Sequence, residues 1–107
     1  MTPLVEPFPD DRAGEAGVDA ARARLRAAGV EPSAWSNGPG DRYAAHDHET
    51  TKLLICAEGS ITFLVGPDAM PVELTAGHGL VLPARTPHAA IVGNGGCTCV
   101  EGHRSPE

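Results

Sequence analysis

Two histidines one residue apart, His46 and His48, are the side chains of this sequence best suited to chemistry. In an extended strand, residues two positions apart project from the same face. Two imidazoles side by side on a rigid sheet are typical of a pair of metal ligands. A third histidine, His88, lies in the segment LVLPARTPHAAIV, which has the pattern of a strand, a turn and a second strand. We expect the two segments to face each other in a small β-barrel, with the three histidines on one divalent metal.

The alternative for His46 and His48 is that they are ordinary polar residues on an exposed strand. A lone pair of this kind favours that alternative, and it is the third histidine that shifts the balance toward a metal site. The two remaining histidines, His78 in a turn and His103 near the C-terminus, are expected at the surface.

The composition favours one small β-domain. A chain of 107 residues suits a single domain with a modest core. Aromatic residues make up only 4%, so that core must be built from aliphatic side chains. Thirteen glycines and ten prolines cut the chain into short segments, which is typical of strands joined by tight turns rather than of a helical bundle.

The charge and the cysteine count exclude several classes of function. A formal net charge of −6 argues against nucleic acid or an anionic membrane surface as partner, since both need clustered lysine and arginine. No apolar run approaches the roughly 20 residues of a membrane helix, and the first residues lack the layout of a secretion signal. Three cysteines is an odd number, so reduced thiols and a cytoplasmic location are expected.

The N-terminal part of the chain is predicted to hold an arm and one helix. The first twelve residues are rich in proline and acid and are expected to be extended, either disordered or laid over a barrel edge. Strong helix formers predict a helix from Val18 to Ala28, followed by a glycine as its stop. Arg22 and Arg26 of this helix are expected to face water.

From residue 31 onward, short apolar segments alternate with turn residues such as NGPG, GPD and GNGG. About eight short strands with this spacing indicate an all-β sandwich or closed barrel. Residues 1–30 then form the N-terminal arm and helix and residues 31–107 the barrel, within one structural domain overall. The predicted strands are Ser33–Ser36, Arg42–His48, Lys52–Glu58, Ser60–Val65, Met70–Leu74, Gly79–Leu82, His88–Val92 and Cys97–Glu101.

The spacing around the first two histidines resembles the first motif of the cupin family. That motif runs glycine, five residues, His-x-His, three or four residues, glutamate, six residues and glycine. Here Gly40 is followed after five residues by His46 and His48, then after three by Lys52, and after six more by Gly59. A lysine therefore stands where the family usually has its acidic metal ligand.

The spacing around the third histidine resembles the second cupin motif. The family has glycine, five residues, Pro-x-Gly, two residues, histidine, three residues and asparagine. The corresponding residues here are Gly77, Pro83, Arg85, His88 and Val92, with arginine and valine replacing the usual glycine and asparagine. Together the two motifs cover residues 40–92, half of the chain, which identifies it as similar to a small single-domain cupin.

The resemblance implies a double-stranded β-helix, the jelly-roll barrel of cupins, preceded here by one helix. It also implies a divalent transition metal, Fe, Mn, Ni or Zn, held by His46, His48 and His88 with open positions left for a substrate. Small cupins are often dimers, so a homodimer is expected. The leading hypothesis is a metal-dependent enzyme acting on a small organic molecule, with oxygenase chemistry first and lyase or isomerase chemistry next. The alternative is a non-catalytic cupin that binds or senses a small molecule.

Lys52 is the candidate catalytic residue, and three interpretations stay open. Beside the metal, it could serve as a general base or hold an anionic substrate. It could instead pair with Glu49 or Glu101 in a structural role. In the third interpretation it replaces the metal altogether, and the site binds none.

The expected substrate pocket follows from the alternation of side chains along the strands. Glu101 shares one face of the last strand with Cys97 and Cys99. If that face is the interior, its carboxylate reaches the cavity; the equal alternative is that the face points outward and the glutamate is solvated. Cys97 and Cys99 are interpreted as packing residues, and Trp35 as a residue at a barrel end or subunit contact. The residues predicted to line the pocket are Tyr43, Leu54, Cys56, Phe63, Leu82 and Glu101.

Overall fold

The computed structural model describes the backbone of residues 6–7 and the whole of residues 15–104. Helix α1 spans Val18–Ala27, one residue shorter than predicted, and begins directly after Gly17. Its Leu25 is fully buried against the barrel. Arg24, unlike the partly exposed Arg22 and the exposed Arg26, is also buried, and its Nη1 donates to the carbonyl of Gly77 at 2.8 Å. This bond fastens the helix to a turn of the barrel.

The described residues form seven strands, which pair in antiparallel fashion. The main path of the sheet runs β1, β6, β4, β7, β2, with β3 also paired to β7 and β5 to β4. The result is the predicted all-β jelly-roll barrel with one helix. No helix among the described residues is long and apolar enough to cross a membrane. The strands are β1 (Glu6–Pro7), β2 (Ser33–Asn37), β3 (Arg42–His46), β4 (Thr51–Val65), β5 (Met70–Thr75), β6 (Gly79–Leu82) and β7 (His88–Arg104).

The N-terminal arm is described at two residues. There, Glu6 and Pro7 form β1 and pair with Val81 and Leu80 of β6, as expected of an arm laid over a barrel edge. The rest of the first fourteen residues lies outside the described part of the chain.

Two predicted strand breaks are wrong. The Glu58-Gly59 pair and the GNGG segment do not reverse the chain; they lie inside the long strands β4 and β7. Gly59 and Gly96 take left-handed φ angles of 77° and 78°, and the pairing of β4 with β7 shifts register on both sides of Gly59. These are the signs of β-bulges, which bend and twist a strand without ending it. A side chain on Gly59 would overlap the carbonyl of Gly96, so the close approach of the two strands requires glycine there.

The first half of strand β4 is buried on both faces, because it separates two apolar clusters. The interior cluster fills the barrel and includes Leu54, Cys56 and Ile61. The second cluster lies between the outer face and helix α1, where Leu53 and Ile55 pack against Leu25. The alternation of strand side chains thus puts even-numbered residues inside and odd-numbered ones under the helix in the first half of β4.

Candidate metal centre

The three histidines meet at one end of the barrel. His46 is the last residue of β3 and His88 the first residue of β7, and the two are directly paired because these strands run antiparallel. His48 follows two residues beyond β3. One ring nitrogen from each lies within 4.8 Å of the others, and the ring centroids are 4.5 to 5.4 Å apart. Within the described residues this is the one cluster of histidine, cysteine or acidic side chains arranged to hold a metal ion.

The hydrogen bonds of the rings leave nitrogens available for a metal. Nδ1 of His88 lies 3.0 Å from the carbonyl of Thr86, and Nδ1 of His46 lies 2.8 Å from that of Ala44. A carbonyl can only accept, so both Nδ1 atoms donate and each Nε2 carries the lone pair. Nε2 of His88 and Nε2 of His48 are buried without a hydrogen-bond partner. Buried polar atoms are rarely left in this way, and a shared cation is a partner that suits both.

Burial also keeps two of the rings neutral. The pKa of His88 and the pKa of His48 are both lowered, chiefly because burial disfavours the charged imidazolium. The positive charge of Lys52 acts in the same direction on each pKa. Neutral imidazole is the form that binds metal, so the ring environment fits a divalent ion.

The turn before β7 supports the site through its backbone. Arg85 has a left-handed φ of 63° at the position where the second cupin motif has glycine. Its backbone N–H donates to the carbonyl of His48 at 2.7 Å. The turn geometry of the motif is therefore kept despite the arginine, at a conformational cost that glycine would not have.

Lys52 forms a salt bridge with Glu101 at 3.0 Å, and both side chains are largely buried. Glu101 is also held by Trp35, whose Nε1 donates to Oε1 at 2.8 Å, and by His103, whose Nε2 lies 3.0 Å from Oε2. Burial by itself raises the pKa of Glu101, but the charge of Lys52 and the hydrogen bonds outweigh it and lower that pKa. The carboxylate is thus ionised close to the three histidines. The structure contains the pairing of Lys52 with Glu101, and the same lysine also lines the cavity beside the histidines.

A cavity of about 240 Å³ opens beside the histidines. Three predicted pocket residues, Tyr43, Phe63 and Glu101, line it. Trp35 and Tyr43 meet edge to face with ring centroids 5.7 Å apart, and the Tyr43 hydroxyl donates to the side-chain oxygen of Asn37. The complete lining is Trp35, Tyr43, His46, His48, Lys52, Phe63, His88, Ala89, Ala90 and Glu101.

The other three predicted pocket residues, Leu54, Cys56 and Leu82, lie in the barrel interior instead of at the cavity wall. The paired strands β4 and β7 bend at their glycine bulges, so that both ends of this ribbon reach the cavity. Lys52 arrives from one end of β4 and Phe63 from the other. Inward residues between them, such as Leu54 and Cys56, face the same interior but lie nearer to the bend.

The three cysteines form a buried group in that interior. Cys56 is the cross-strand partner of Cys99, and the sulfurs of Cys97 and Cys99 are 4.0 Å apart. All three are free thiols. Burial raises the pKa of Cys97, which suits the packing role predicted for it.

Two roles in the site were not predicted. Trp35 lines the cavity, although it was expected at a barrel end or subunit contact. His103 is exposed, as predicted, but it also bonds both Glu101 and the hydroxyl of Thr50. The signal for His103 was present in the sequence, since it lies two residues after Glu101 on the same face of a strand. For Trp35 no such local signal existed. His78 is exposed, as predicted.

A jelly-roll barrel with three histidines gathered at one end defines a small cupin. Residues 29–100 match the family model described as the AraC-like ligand binding domain. This match covers more than half of the chain, so the chain belongs to that family. A search of curated proteins finds no match.

Solved structures similar to this chain agree with the fold. A cupin superfamily protein of Desulfitobacterium hafniense is 20% identical, with a TM-score of 0.62 over 71% of this chain and 67% of its own. A structure of DMSP lyases is 24% identical, with a TM-score of 0.65 and coverages of 71% and 38%. A structure of Fe(II) HppE is 18% identical, with a TM-score of 0.62 and coverages of 74% and 44%. This chain spans less than two thirds of the length of most of the solved structures compared.

Proposed function

We propose that this protein is a metal-dependent enzyme that acts on a small organic molecule bound in the cavity beside the three histidines. The observation that carries the proposal is the histidine cluster: three ligand nitrogens lie within 4.8 Å of one another. Two of these rings have a buried Nε2 without a protein partner. A cation shared among the rings accounts for both facts.

His46, His48 and His88 would hold the metal, which we infer to be Fe(II), Mn(II), Ni(II) or Zn(II). Such an ion polarises a bound oxygen atom or activates dioxygen or water. Three neutral imidazoles leave further coordination positions open for a substrate. Oxygenase chemistry is the first class we propose, with lyase or isomerase chemistry next. The similarity to a lyase and to an Fe(II) protein is in keeping with these classes.

The side chains around the histidines suggest how a substrate would be held. Phe63, Ala90 and Trp35 provide an apolar wall that excludes water. Among the described lining residues, Lys52 is the one lysine or arginine, and it pairs with Glu101. We assign Lys52 the role of contacting the substrate. A cytoplasmic location and a homodimer belong to the same proposal.

The second candidate function is a binding or sensing module without catalysis. One observation favours it: the family that the chain belongs to is described as a ligand binding domain. The same cavity and the same metal would then bind a ligand and release it without chemical change.

Metal analysis of purified protein supplied with each ion tests the proposal. We expect one bound metal per chain in the wild type. In His88→Ala, which removes a buried ligand, we expect the bound metal per chain to fall at least tenfold. His78→Ala is the matched control, because that histidine is exposed and outside the cavity. A wild type that binds no metal, or a His88→Ala variant that keeps it, would contradict the proposal.

Turnover separates the two candidates. Small organic acids and their neutral analogues are incubated with the metal-loaded protein and followed by proton NMR. New resonances that depend on His88 support the enzyme, whereas a ligand that binds and is recovered unchanged supports the sensing module.

A further inference from the structure

A divalent cation at the three histidines would leave the charges of the cavity unbalanced. This inference rests on the proposed function, and it concerns the charge of the ligand. The imidazoles are neutral ligands. Among the described residues of the lining, the formally charged side chains are Lys52 and Glu101, and they cancel each other. The site would therefore carry two net positive charges among aromatic and alanine side chains. A charge in such surroundings needs a counter-ion.

The exchange of the usual acid for Lys52 is the source of the imbalance. An acidic ligand would offset one charge of the metal, whereas lysine adds a positive charge at that position. Glu101 balances Lys52, but both of its oxygens are already engaged. Oε1 accepts from Trp35 at 2.8 Å and from Lys52 at 3.0 Å, while Oε2 lies 3.0 Å from Nε2 of His103.

We propose that the ligand of this cavity is a small monocarboxylate with an apolar body, and that Lys52 is the residue that selects it. An ammonium has three N–H donors, and the salt bridge with Glu101 uses one of them. The others are available for a charge-assisted hydrogen bond to a ligand carboxylate, a strong type of hydrogen bond. The apolar body packs against Phe63 and Ala90.

The remaining polar groups of the wall argue against a neutral polyol. The indole N–H of Trp35 is used by Glu101, and the hydroxyl of Tyr43 is used by Asn37. These bonds leave the wall with few free donors for a ligand that is recognised through several hydroxyl groups. Charge and apolar contact are the two means of selection that this wall offers.

Benzoate and its neutral isostere benzamide, titrated into zinc-loaded protein, test the proposal. Zinc is diamagnetic and inert to redox chemistry, so binding can be measured by ligand-observed NMR without turnover by oxidation. We expect benzoate to bind at least tenfold more tightly than benzamide, since the net free energy of a hydrogen bond to a charged group corresponds to about a tenfold change in affinity. Lys52→Met should abolish most of the preference, and Glu101→Gln should increase benzoate affinity several-fold by releasing Lys52. Lys52→Arg, which keeps the charge, should keep the preference.

The outcomes separate this inference from the proposed function. Protein that takes up no zinc overturns both. Zinc-loaded protein that binds the two probes equally, or a Lys52→Met variant that keeps the wild-type preference, overturns the carboxylate inference alone. If Lys52→Met does not fold, as judged by circular dichroism, Glu101→Gln decides: weaker benzoate binding in that variant overturns the inference.

Discussion

At the residue scale, this chain departs from the cupin motifs at three positions, Arg85, Lys52 and Val92, and it compensates for the first two in different ways. Arg85 adopts the left-handed backbone angle that glycine normally supplies, so the turn still holds the carbonyl of His48. Lys52 brings a cation to the position of an acid, and Glu101 on the neighbouring strand neutralises it. The first change preserves geometry at some conformational cost, while the second alters the electrostatics of the site.

The Lys52–Glu101 pair predicts a stability that depends on pH. Because the folded-state pKa of Glu101 is lowered, the ionised carboxylate stabilises the fold above its ordinary value of 4.5. This contribution is lost as the pH falls through the lowered pKa, since the unfolded chain binds the proton first. In metal-free protein, Glu101→Gln should lower the free energy of unfolding at pH 7 by about 2 kcal/mol, because Lys52 is left without its counter-ion.

Urea unfolding at pH 7, 5 and 3.5 measures the difference between the wild type and Glu101→Gln. The difference should shrink toward pH 3.5, because below the ordinary pKa of 4.5 the carboxyl of the unfolded chain takes up a proton before the folded one does. Glu73→Gln on the exposed side of β5 is the control and should have little effect at any of these pH values. A constant difference from pH 7 to pH 3.5 would rule out the ion pair as its origin.

At the element scale, the bent ribbon of β4 and β7 builds the site. Its two glycine bulges let two long strands double over, and both ends of β4 then contribute to the cavity wall through Lys52 and Phe63. Straight strands of this length would place those two side chains far apart, since each residue advances about 3.3 Å. The bulges therefore have a functional consequence as well as a structural one.

A methyl group at Gly59 should disrupt this ribbon. It would overlap the carbonyl of Gly96 and force a left-handed φ on alanine, so we expect Gly59→Ala to destabilise the fold by at least about 3 kcal/mol. Gly95→Ala, in the same bulge region but with no atom near its new methyl group, should change stability by less than about 1 kcal/mol. Thermal unfolding of both variants checks this, and similar melting temperatures would contradict the role assigned to the bulge.

At the scale of the whole molecule, the helix and the barrel share a core. Leu25 of α1 packs with Leu53, Ile55 and Val100 on the outer face of the barrel. Arg24 adds a bond to the turn at Gly77. The first half of strand β4 is buried on both faces because of this contact, so this part of the barrel surface would be exposed and apolar without the helix.

Leu25→Ala should therefore destabilise helix and barrel together. The side chain is fully buried, and its truncation is expected to cost about 3 kcal/mol. Circular dichroism at 222 nm follows the secondary structure, and fluorescence of Trp35 follows the barrel. The unfolding midpoints measured by these two signals should fall by the same amount. Arg26→Ala is the control, because Arg26 is exposed and its truncation should leave both midpoints nearly unchanged. A fluorescence midpoint that stays at its wild-type value would contradict one structural domain.

The amino-acid sequence by itself determined the local features of this protein. The spacing of His46, His48 and His88 predicted a shared site, and the helix and most strand positions followed from residue propensity and alternation. These features depend on contacts between near neighbours or on motif spacing, both of which are visible along the chain. The alternation also showed which face of the last strand carries Glu101, but not whether that face turned inward.

Only the tertiary structure decided which inward residues reach the cavity and which are covered. Trp35 bonds Glu101 across 66 positions of the sequence, and Lys52 meets the same carboxylate from another strand. Leu54 and Cys56 share the inward face of Lys52, yet they lie in the core and not at the cavity wall. They are closer along the strand to the bend at Gly59 than Lys52 is. Such depths depend on how the whole sheet closes, and no local pattern of residues contains that information.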